Sequence, residues 1–282
     1  MNLAAGNKLK KILSDNKSGS SEILLKLIGW SKNYSSDKKT LLEMINASNK
    51  ELKSFPAVQS FIREFKKVIG TKGDSQIIVF LNEQTKRIEN RYSNLFNNSL
   101  PILKDSERIV TLSNSKTIIE ILERLNKLRK ISVVVGESRP QFEGRIMAKE
   151  LLKNKIKVEI IPDVLLLDAV EKADAAIIGA DFILLNGNVV NKIGSRSLAI
   201  ACKYLKKPFY VLATTDKASN KKKYFHEKRN GNEIWDYNHK FLTKTNYYFE
   251  IVEKGLITKV ITDKNSKIKS QISKVNIIQN LF

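Results

Sequence analysis

The sequence contains one cysteine, Cys202, and two histidines, His226 and His239, among 282 residues. A single thiol excludes an internal disulfide and any cysteine-based metal cluster. Both imidazoles lie in a polar stretch without ligand spacing, so neither a metal nor another cofactor is expected. Long apolar runs are missing too: none approaches the ~20 residues that a membrane-spanning helix needs. The opening MNLAAGNKLKKIL has only a short apolar start before its lysines and lacks the apolar core of a signal peptide. Cytoplasm is the expected location, with no membrane partner. Acidic residues are scarce beside basic ones, 29 Asp and Glu against 50 Lys and Arg, which leaves a net charge of +21.

That excess raises the question of nucleic acid, because lysines that neutralise phosphates give affinity independent of sequence. The cations, however, run at roughly four Lys to each Arg and are spread along the whole chain, together with many Asn and Ile. Only Lys221-Lys222-Lys223, continuing to Lys228 and Arg229, forms a dense patch. It reads as a solvated loop or as a contact for an acidic partner, so nucleic-acid binding is expected to be non-specific at most. A hydrophobic fraction of 42% is that of an ordinary globular protein, and the length allows two modest domains or one large one.

Two halves read differently. From Leu3 to about Asn97 apolar positions recur at helical spacing, as in Ile23, Leu24, Leu27 and Ile28, in Leu41, Leu42, Ile45 and Leu52, and in Phe61 to Ile69. The stretch Ser75 to Leu95 places Ile77, Phe80, Leu81, Ile88, Tyr92 and Leu95 on one face, with Asp74 or Ser75 available as its cap. After Pro101 short β-branched runs alternate with helical patterns. Strands are expected at 108–111, 131–135, 158–161, 175–178 and 209–213, and helices near 116–129, 143–154, 164–172 and 195–205. Continuous apolar strands such as Val133-Val134-Val135 are those buried on both faces, so the pattern implies a parallel sheet covered by helices on both sides. The fold class is α/β, a helical domain over 1–100 followed by a Rossmann-like parallel-sheet domain over 101–282.

In such sheets ligands bind in the loops at the carboxyl ends of the strands, and those loops are rich in polar residues. Ser113, Asn114 and Ser115 follow the first strand and precede a helix, a composition that suits either an anion or a simple helix cap. Arg139, between Ser138 and Pro140, is a stiffened guanidinium fit for phosphate oxygens, with pairing to Glu137 as the alternative. Asp181 directly follows Ile177 to Ala180 at the sheet edge, where a carboxylate cap or an acid–base group with a raised pKa are both possible. The segment Leu184 to Val190, turning at Asn186-Gly187, reads as a tight hairpin that brings Asn191 and Lys192 back to Asp181. That set suits a small phosphorylated polyol, and an Asp181–Lys192 ion pair is the plainer alternative. Cys202, flanked by small apolar residues in a helix, reads as a buried hydrophobe.

Together the runs SVVVGESRPQFEGRIMAKEL and PDVLLLDAVEKADAAIIGADFILLNGNVVNKIGSRSLAIACKYLKKPFYVLA resemble the family of initiation factor 2B alpha, beta and delta subunits. Methylthioribose-1-phosphate isomerase and archaeal ribose-1,5-bisphosphate isomerase belong to the same family. NEIWDYN and YYFEIVEKGLITKVITD look like its closing segment, and Ser18-Gly19-Ser20-Ser21-Glu22 resembles the small-residue loop of its helical domain. The resemblance implies dimerisation through the second domain, alone or with a related subunit. It also implies a ligand pocket that includes Ser18, Gly19, Ser20, Asn114, Ser115, Arg139, Asp181, Asn191 and Lys192. The family's isomerases use a cysteine after the first strand of the sheet and the aspartate of the GAD motif. Asp181 matches the aspartate, whereas the cysteine position falls on Ser113, and serine holds its proton far more tightly than a thiol. The N-terminal loop also departs from the isomerases' Arg-Gly-Ala pattern. The first expectation is therefore a regulatory-subunit-like protein that binds a sugar phosphate or nucleotide and a protein partner, with initiation factor 2 a candidate. A sugar-phosphate isomerase using Asp181 and a non-specific nucleic-acid binder are the alternatives.

Overall fold

The computed structural model describes residues 3–15, 18–53 and 55–264. The chain divides into two compact units, Met1–Arg91 and Tyr92–Phe282. The division falls within one long helix, in which the expected boundary at residue 100 also lies.

The first unit consists of α1 (Leu3–Leu13), α2 (Ser20–Lys32), α3 (Lys38–Glu51), α4 (Pro56–Thr71) and the first part of α5 (Asp74–Leu103). Its core is the expected stripes: Ile23, Leu27, Ile28, Leu41, Ile45, Phe65, Ile77 and Leu81 are essentially inaccessible. Leu42 is 39% exposed, since one residue beyond Leu41 the helix has turned away from the core. Phe61, Phe65 and Phe80 stack with centroids 5.2 to 6.2 Å apart. The carboxylate of Asp37 accepts the Thr40 amide at 3.0 Å and starts α3. At α5 the expected cap is corrected. The Gly73 carbonyl takes the Gln76 and Ile77 amides, and Asp74 is already the first helical residue. The helix also passes through Pro101 in its last turn, where the Asn97 carbonyl goes without its usual amide.

The second unit is built on a six-stranded parallel sheet. In chain order its strands are β1 (Arg108–Leu112), β2 (Ser132–Gly136), β3 (Lys157–Ile161), β4 (Ala175–Ile178), β7 (Phe209–Ala213) and β9 (Lys259–Thr262), in the spatial order β3-β2-β1-β4-β7-β9. A small antiparallel sheet joins β5 (Phe182–Ile183), β6 (Val189–Lys192) and β8 (Phe249–Val252). Between the strands run α6 (Lys116–Leu128), α7 (Glu143–Lys153), α8 (Leu166–Glu171) and α9 (Ser195–Tyr204). The expected helix at 164–172 begins instead as a 3-10 turn, Asp163–Leu165.

Alternation along the strands explains the two-sided burial. Val110, Val134, Ala176, Ile178 and Val211 pack with Leu166, Leu198 and Cys202 of α8 and α9. Their neighbours Ile109, Val133, Val135, Ile177 and Leu212 pack with Ile121, Leu122, Met147 and Leu151 of α6 and α7. The apolar tail is consumed in the same way. Val252 and Ile261 are buried as β8 joins β6 and β9 joins β7.

Strand order reverses between β1 and β4, since β2 and β3 lie on one side and β7 and β9 on the other. Loops that diverge from this point leave a crevice at the carboxyl ends of β1 and β4. On its β2 side, Gly144 lets α7 start against the sheet: a Cβ there would stand 1.9 Å from the Gly136 carbonyl oxygen. Gly29, by contrast, is exposed in α2 with nothing near a prospective Cβ. Gly144→Ala is expected to lower stability by about 1–3 kcal/mol or more through overpacking. Gly29→Ala should raise it by about 0.5–1 kcal/mol. Urea unfolding of the two variants checks both signs.

Candidate ligand-binding site

The loop after β2 is held by one carboxylate. Asp163, at the end of β3, accepts the Ser138 amide at 2.8 Å and the Arg139 amide at 2.7 Å. The Ser138 hydroxyl donates to the Gly136 carbonyl at 2.9 Å and accepts the Ser113 amide at 2.6 Å, which ties the β1 and β2 loops together. Ser113, Ser138 and Phe142 all take positive φ, at 66°, 64° and 58°. Such strain in side-chain-bearing residues gathers where a loop is over-determined by its surroundings, and functional sites are a common place for it. Ser115 caps α6 by accepting the Ile118 amide, and its hydroxyl lies 2.6 Å from where a Cβ of Gly179 would stand. The β1 and β4 loops thus meet at the switch point, with Asn114 half-buried beside them.

The expected hairpin is present: Phe182 pairs with Val190 and Ile183 with Val189, and the Leu184 amide closes the turn onto the Asn188 carbonyl at 2.8 Å. The Asp181 amide donates to the Val190 carbonyl at 2.9 Å, which places Asp181 beside the Asn191-Lys192 pair. Part of the Asp181 surface remains open, but protein surrounds its carboxylate. Burial raises its pKa above the ordinary value, against the opposing charges of Lys217 and Lys192.

Lys192 is not the ion-pair partner of Asp181. Its ammonium bonds Glu143 Oε1 at 2.5 Å, with side chains 3% and 6% exposed. Glu143 stands immediately before Gly144, so the close approach of α7 to the sheet delivers this carboxylate to Lys192. Among the described residues, Glu143 Oε2 is buried and finds no hydrogen-bond partner. Asn191, 7% exposed, donates to Ser195 Oγ at 2.8 Å, and that hydroxyl donates to the Lys192 carbonyl at 2.6 Å. The start of α9 is taken by protein. Glu250 accepts the Arg196 amide at 2.9 Å, and burial raises its pKa despite amide bonds from Arg196 and Gly194.

A long connection between β7 and β8 supplies the remaining groups. Lys217 is 5% exposed and acts on Asp181. Tyr248, 6% exposed, places its ring 4.6 Å from the Lys192 ammonium and 4.9 Å from the Arg229 guanidinium. Its hydroxyl donates to Glu233 at 2.6 Å and accepts from Gln141 at 3.1 Å. Asn246 donates to the other Glu233 oxygen at 2.8 Å. Partial burial opposes ionisation of Glu233, but the bonds from Tyr248, Gln141 and Asn246 and the charge of Arg229 prevail and lower its pKa. Tyr248 is pushed up to about 12 by burial and by Glu233. The exposed Arg139 guanidinium bonds the Ile234 carbonyl at 3.0 Å, while Glu137 pairs instead with Arg145 at 2.8 Å.

The structure therefore gathers Ser113, Asn114, Ser115, Arg139, Asp181, Asn191 and Lys192 at loops on one edge of the sheet. Ser18, Gly19 and Ser20 belong to the first unit. There the Ser18 hydroxyl accepts the Lys26 ammonium at 2.7 Å, and the Gly19 carbonyl receives the Glu22 and Ile23 amides. Glu143, Lys217, Glu233 and Tyr248 were not foreseen. The only signal for them was Glu143's place beside a glycine at a helix start. Cys202 is inaccessible, and burial pushes its thiol to about 12.

Residues 9–265 match the model of the initiation factor 2 subunit family. A translation initiation factor eIF-2B subunit 2-like protein of Pyrococcus furiosus is 31% identical over 200 residues, which is 70% of each chain. Ribose 1,5-bisphosphate isomerase of Archaeoglobus fulgidus is 32% identical over 120 residues, 42% of this chain and 38% of that protein. The crystal structure of the translation initiation factor eIF-2B of Pyrococcus horikoshii OT3 superposes with a TM-score of 0.76 at 24% identity. It covers 93% of this chain and 96% of that one, a likeness of fold.

Two stability measurements follow from the buried charges. Lys192→Ala leaves Glu143 uncompensated and is expected to cost about 3–5 kcal/mol, whereas Lys192→Met with Glu143→Leu should recover most of that loss. Chemical denaturation of the single and double variants tests this. For Asp181 the folded pKa lies above its ordinary 3.8, so the folded state binds the extra proton. Stability then falls as pH rises from 3.8 through the folded value and stays reduced above it. Asp181→Asn should be the more stable protein at neutral pH, with the advantage vanishing near pH 3.8 and below. Urea midpoints across pH check the sign.

Proposed function

The chain belongs to the initiation factor 2 subunit family, and from that premise we propose that it binds a small phosphorylated sugar or nucleotide in the crevice at the carboxyl ends of β1 and β4. The observation that carries this reading is the convergence there of the half-buried Asp181 with two buried lysines, Lys192 and Lys217. Buried ionisable groups gathered in a crevice are costly to keep without a ligand to serve. Arg139, on the rim, adds a guanidinium free to exchange a carbonyl for phosphate oxygens. The unsatisfied Glu143 Oε2 suits a hydroxyl donor, as a sugar provides. The name of the Archaeoglobus relative supports the same ligand class.

One observation favours an isomerase. An acid whose pKa is raised by burial, as that of Asp181 is, can shuttle a proton between neighbouring carbons of a sugar. Such a step also needs a second proton-transfer group on the substrate, and Ser113 offers only a hydroxyl there, on a loop in left-handed backbone. The binding reading is therefore preferred. We further propose association with a second copy or a related subunit, and a role beside initiation factor 2. The exposed apolar residues Ile160, Val164, Leu165 and Leu167 of the second unit support an assembly. Lys221, Lys222 and Lys223 are exposed, and any contact they make with nucleic acid is electrostatic and indifferent to sequence.

Native mass spectrometry against a panel of phosphorylated sugars and nucleotides tests the reading and reports oligomer and ligand together. A defined ligand is expected, with Arg139→Ala weakening it by roughly 1.5–3 kcal/mol. Ribose 1,5-bisphosphate and methylthioribose 1-phosphate should not be isomerised. Turnover abolished by Asp181→Asn would replace the binding reading with the isomerase one.

A further inference from the structure

Lys192 has two neighbours of different kinds. Glu143 neutralises its charge, while the ring of Tyr248 lies over its ammonium at 4.6 Å, and the side chain is 3% exposed. A ligand that is to touch Lys192 or the unsatisfied Glu143 Oε2 therefore has to contend with that ring. The ring is not held by packing alone. Its hydroxyl is fixed between Glu233, at 2.6 and 2.7 Å to the two oxygens, and the Gln141 amide at 3.1 Å. Glu233 belongs to a 3-10 turn, Gly231–Glu233, on the exposed connection between β7 and β8. That turn is tied down by polar links: from the buried Asn246 to Glu233 and to the Asn230 carbonyl, from Lys244 to Asn232 Oδ1 and the Trp235 carbonyl, and from Arg139 to the Ile234 carbonyl. Apart from those of the buried Asn246, these links lie at an exposed surface without a packed core beneath the turn, where local opening is least costly.

We propose that Tyr248 is the gate of the site, latched shut by Glu233, and that its displacement admits the ligand to Lys192 and Glu143. The proposal rests on the binding reading above and adds how access is controlled. The chemistry behind the ring sets what it admits. Lys192 offers an ammonium and Glu143 a second, empty acceptor oxygen, so the gate opens for a ligand that presents an anionic oxygen beside a hydroxyl. Arg139 couples rim and latch. A phosphate that takes its guanidinium removes the bond to Ile234 and loosens the turn that carries Glu233.

Acylation of lysines in the full-length protein, read by mass spectrometry, tests the gate without any ligand. Exposed Lys221 serves as the rate reference, and the inaccessible Cys202 thiol reports whether the fold is intact. Lys192 should react slowly in the unsubstituted protein and about tenfold or more faster in Tyr248→Ala, the scale of losing one hydrogen bond to a charged group. Tyr248→Phe keeps the ring but loses both hydroxyl bonds, and Glu233→Gln weakens the latch, so both should fall between. If Tyr248→Ala exposes Cys202, these two milder variants decide the matter. Equal Lys192 reactivity in all proteins, with Cys202 protected, overturns the gate. Added ribose 1,5-bisphosphate separates this proposal from the one it rests on. If Lys192 becomes reactive as expected while neither the unsubstituted protein nor Tyr248→Ala binds any phosphorylated sugar, the gate stands and the binding reading falls.

Discussion

The ion pair between Lys192 and Glu143 is the constraint on which the site depends. Two opposite charges, 3% and 6% exposed, meet at 2.5 Å. Each has left water, and removal of either would strand the other in a medium that solvates charge poorly. The pair connects two separate parts of the chain. Lys192 ends β6, the return strand of the hairpin, and Glu143 begins α7. For them to touch, α7 must start against the β2 carbonyls, which only Gly144 allows. The hairpin must also bring β6 back to the sheet edge, as its pairing with β8 secures. Buried pairs of this kind are often no more stabilising than well-packed apolar residues of the same volume. This pair's place at the strand ends, rather than in the centre of the sheet, is one ground for the ligand site proposed above.

Around that pair the unit separates stability from chemistry. The strands and the inner faces of α6 to α9 contribute almost only Val, Ile, Leu and Ala to the two cores. The polar residues of the site lie at strand ends, in the loops beyond them or at the first turn of a helix. The loops are not loose for that reason. Asp163 holds two amides, Ser138 links two loops, and Glu250 closes the start of α9. The start of α9 is thus occupied by a carboxylate of the chain itself, and an anion at that terminus would have to be met by side-chain cations instead. The excess of lysine over acid across the whole chain strengthens the positive potential into which such a ligand diffuses.

Much of this was legible in the residues. Runs such as Val133-Val134-Val135 and Ala175 to Ile178 bury both faces, so their hydrophobicity alone announced strands of a covered parallel sheet. All five expected strands agree with the observed ones within one residue at each end, the one at 131–135 being shifted by one residue as a whole. The Asn186-Gly187 turn announced the hairpin, and with it the return of Asn191 and Lys192 to Asp181. The tail was harder. Phe249–Val252 and Lys259–Thr262 are short, mixed segments whose partners lie far away in sequence, so no local pattern marked them as strands of two different sheets.

By itself, the sequence determined the class of fold, the edge of the sheet where its polar loop residues would gather, and the absence of a thiol at position 113. These follow from periodicity, from turn residues and from residue identity, all of which are local. Only the tertiary structure decided who pairs with whom. Lys192 turned to Glu143 and not to Asp181, Arg139 to the Ile234 carbonyl and not to Glu137, and Tyr248 from the tail came to lie over Lys192. Partner choice among charged groups depends on distances of a few ångströms and on how much water is excluded. Both are set by the packing of segments remote in the chain, which no spacing along the sequence encodes.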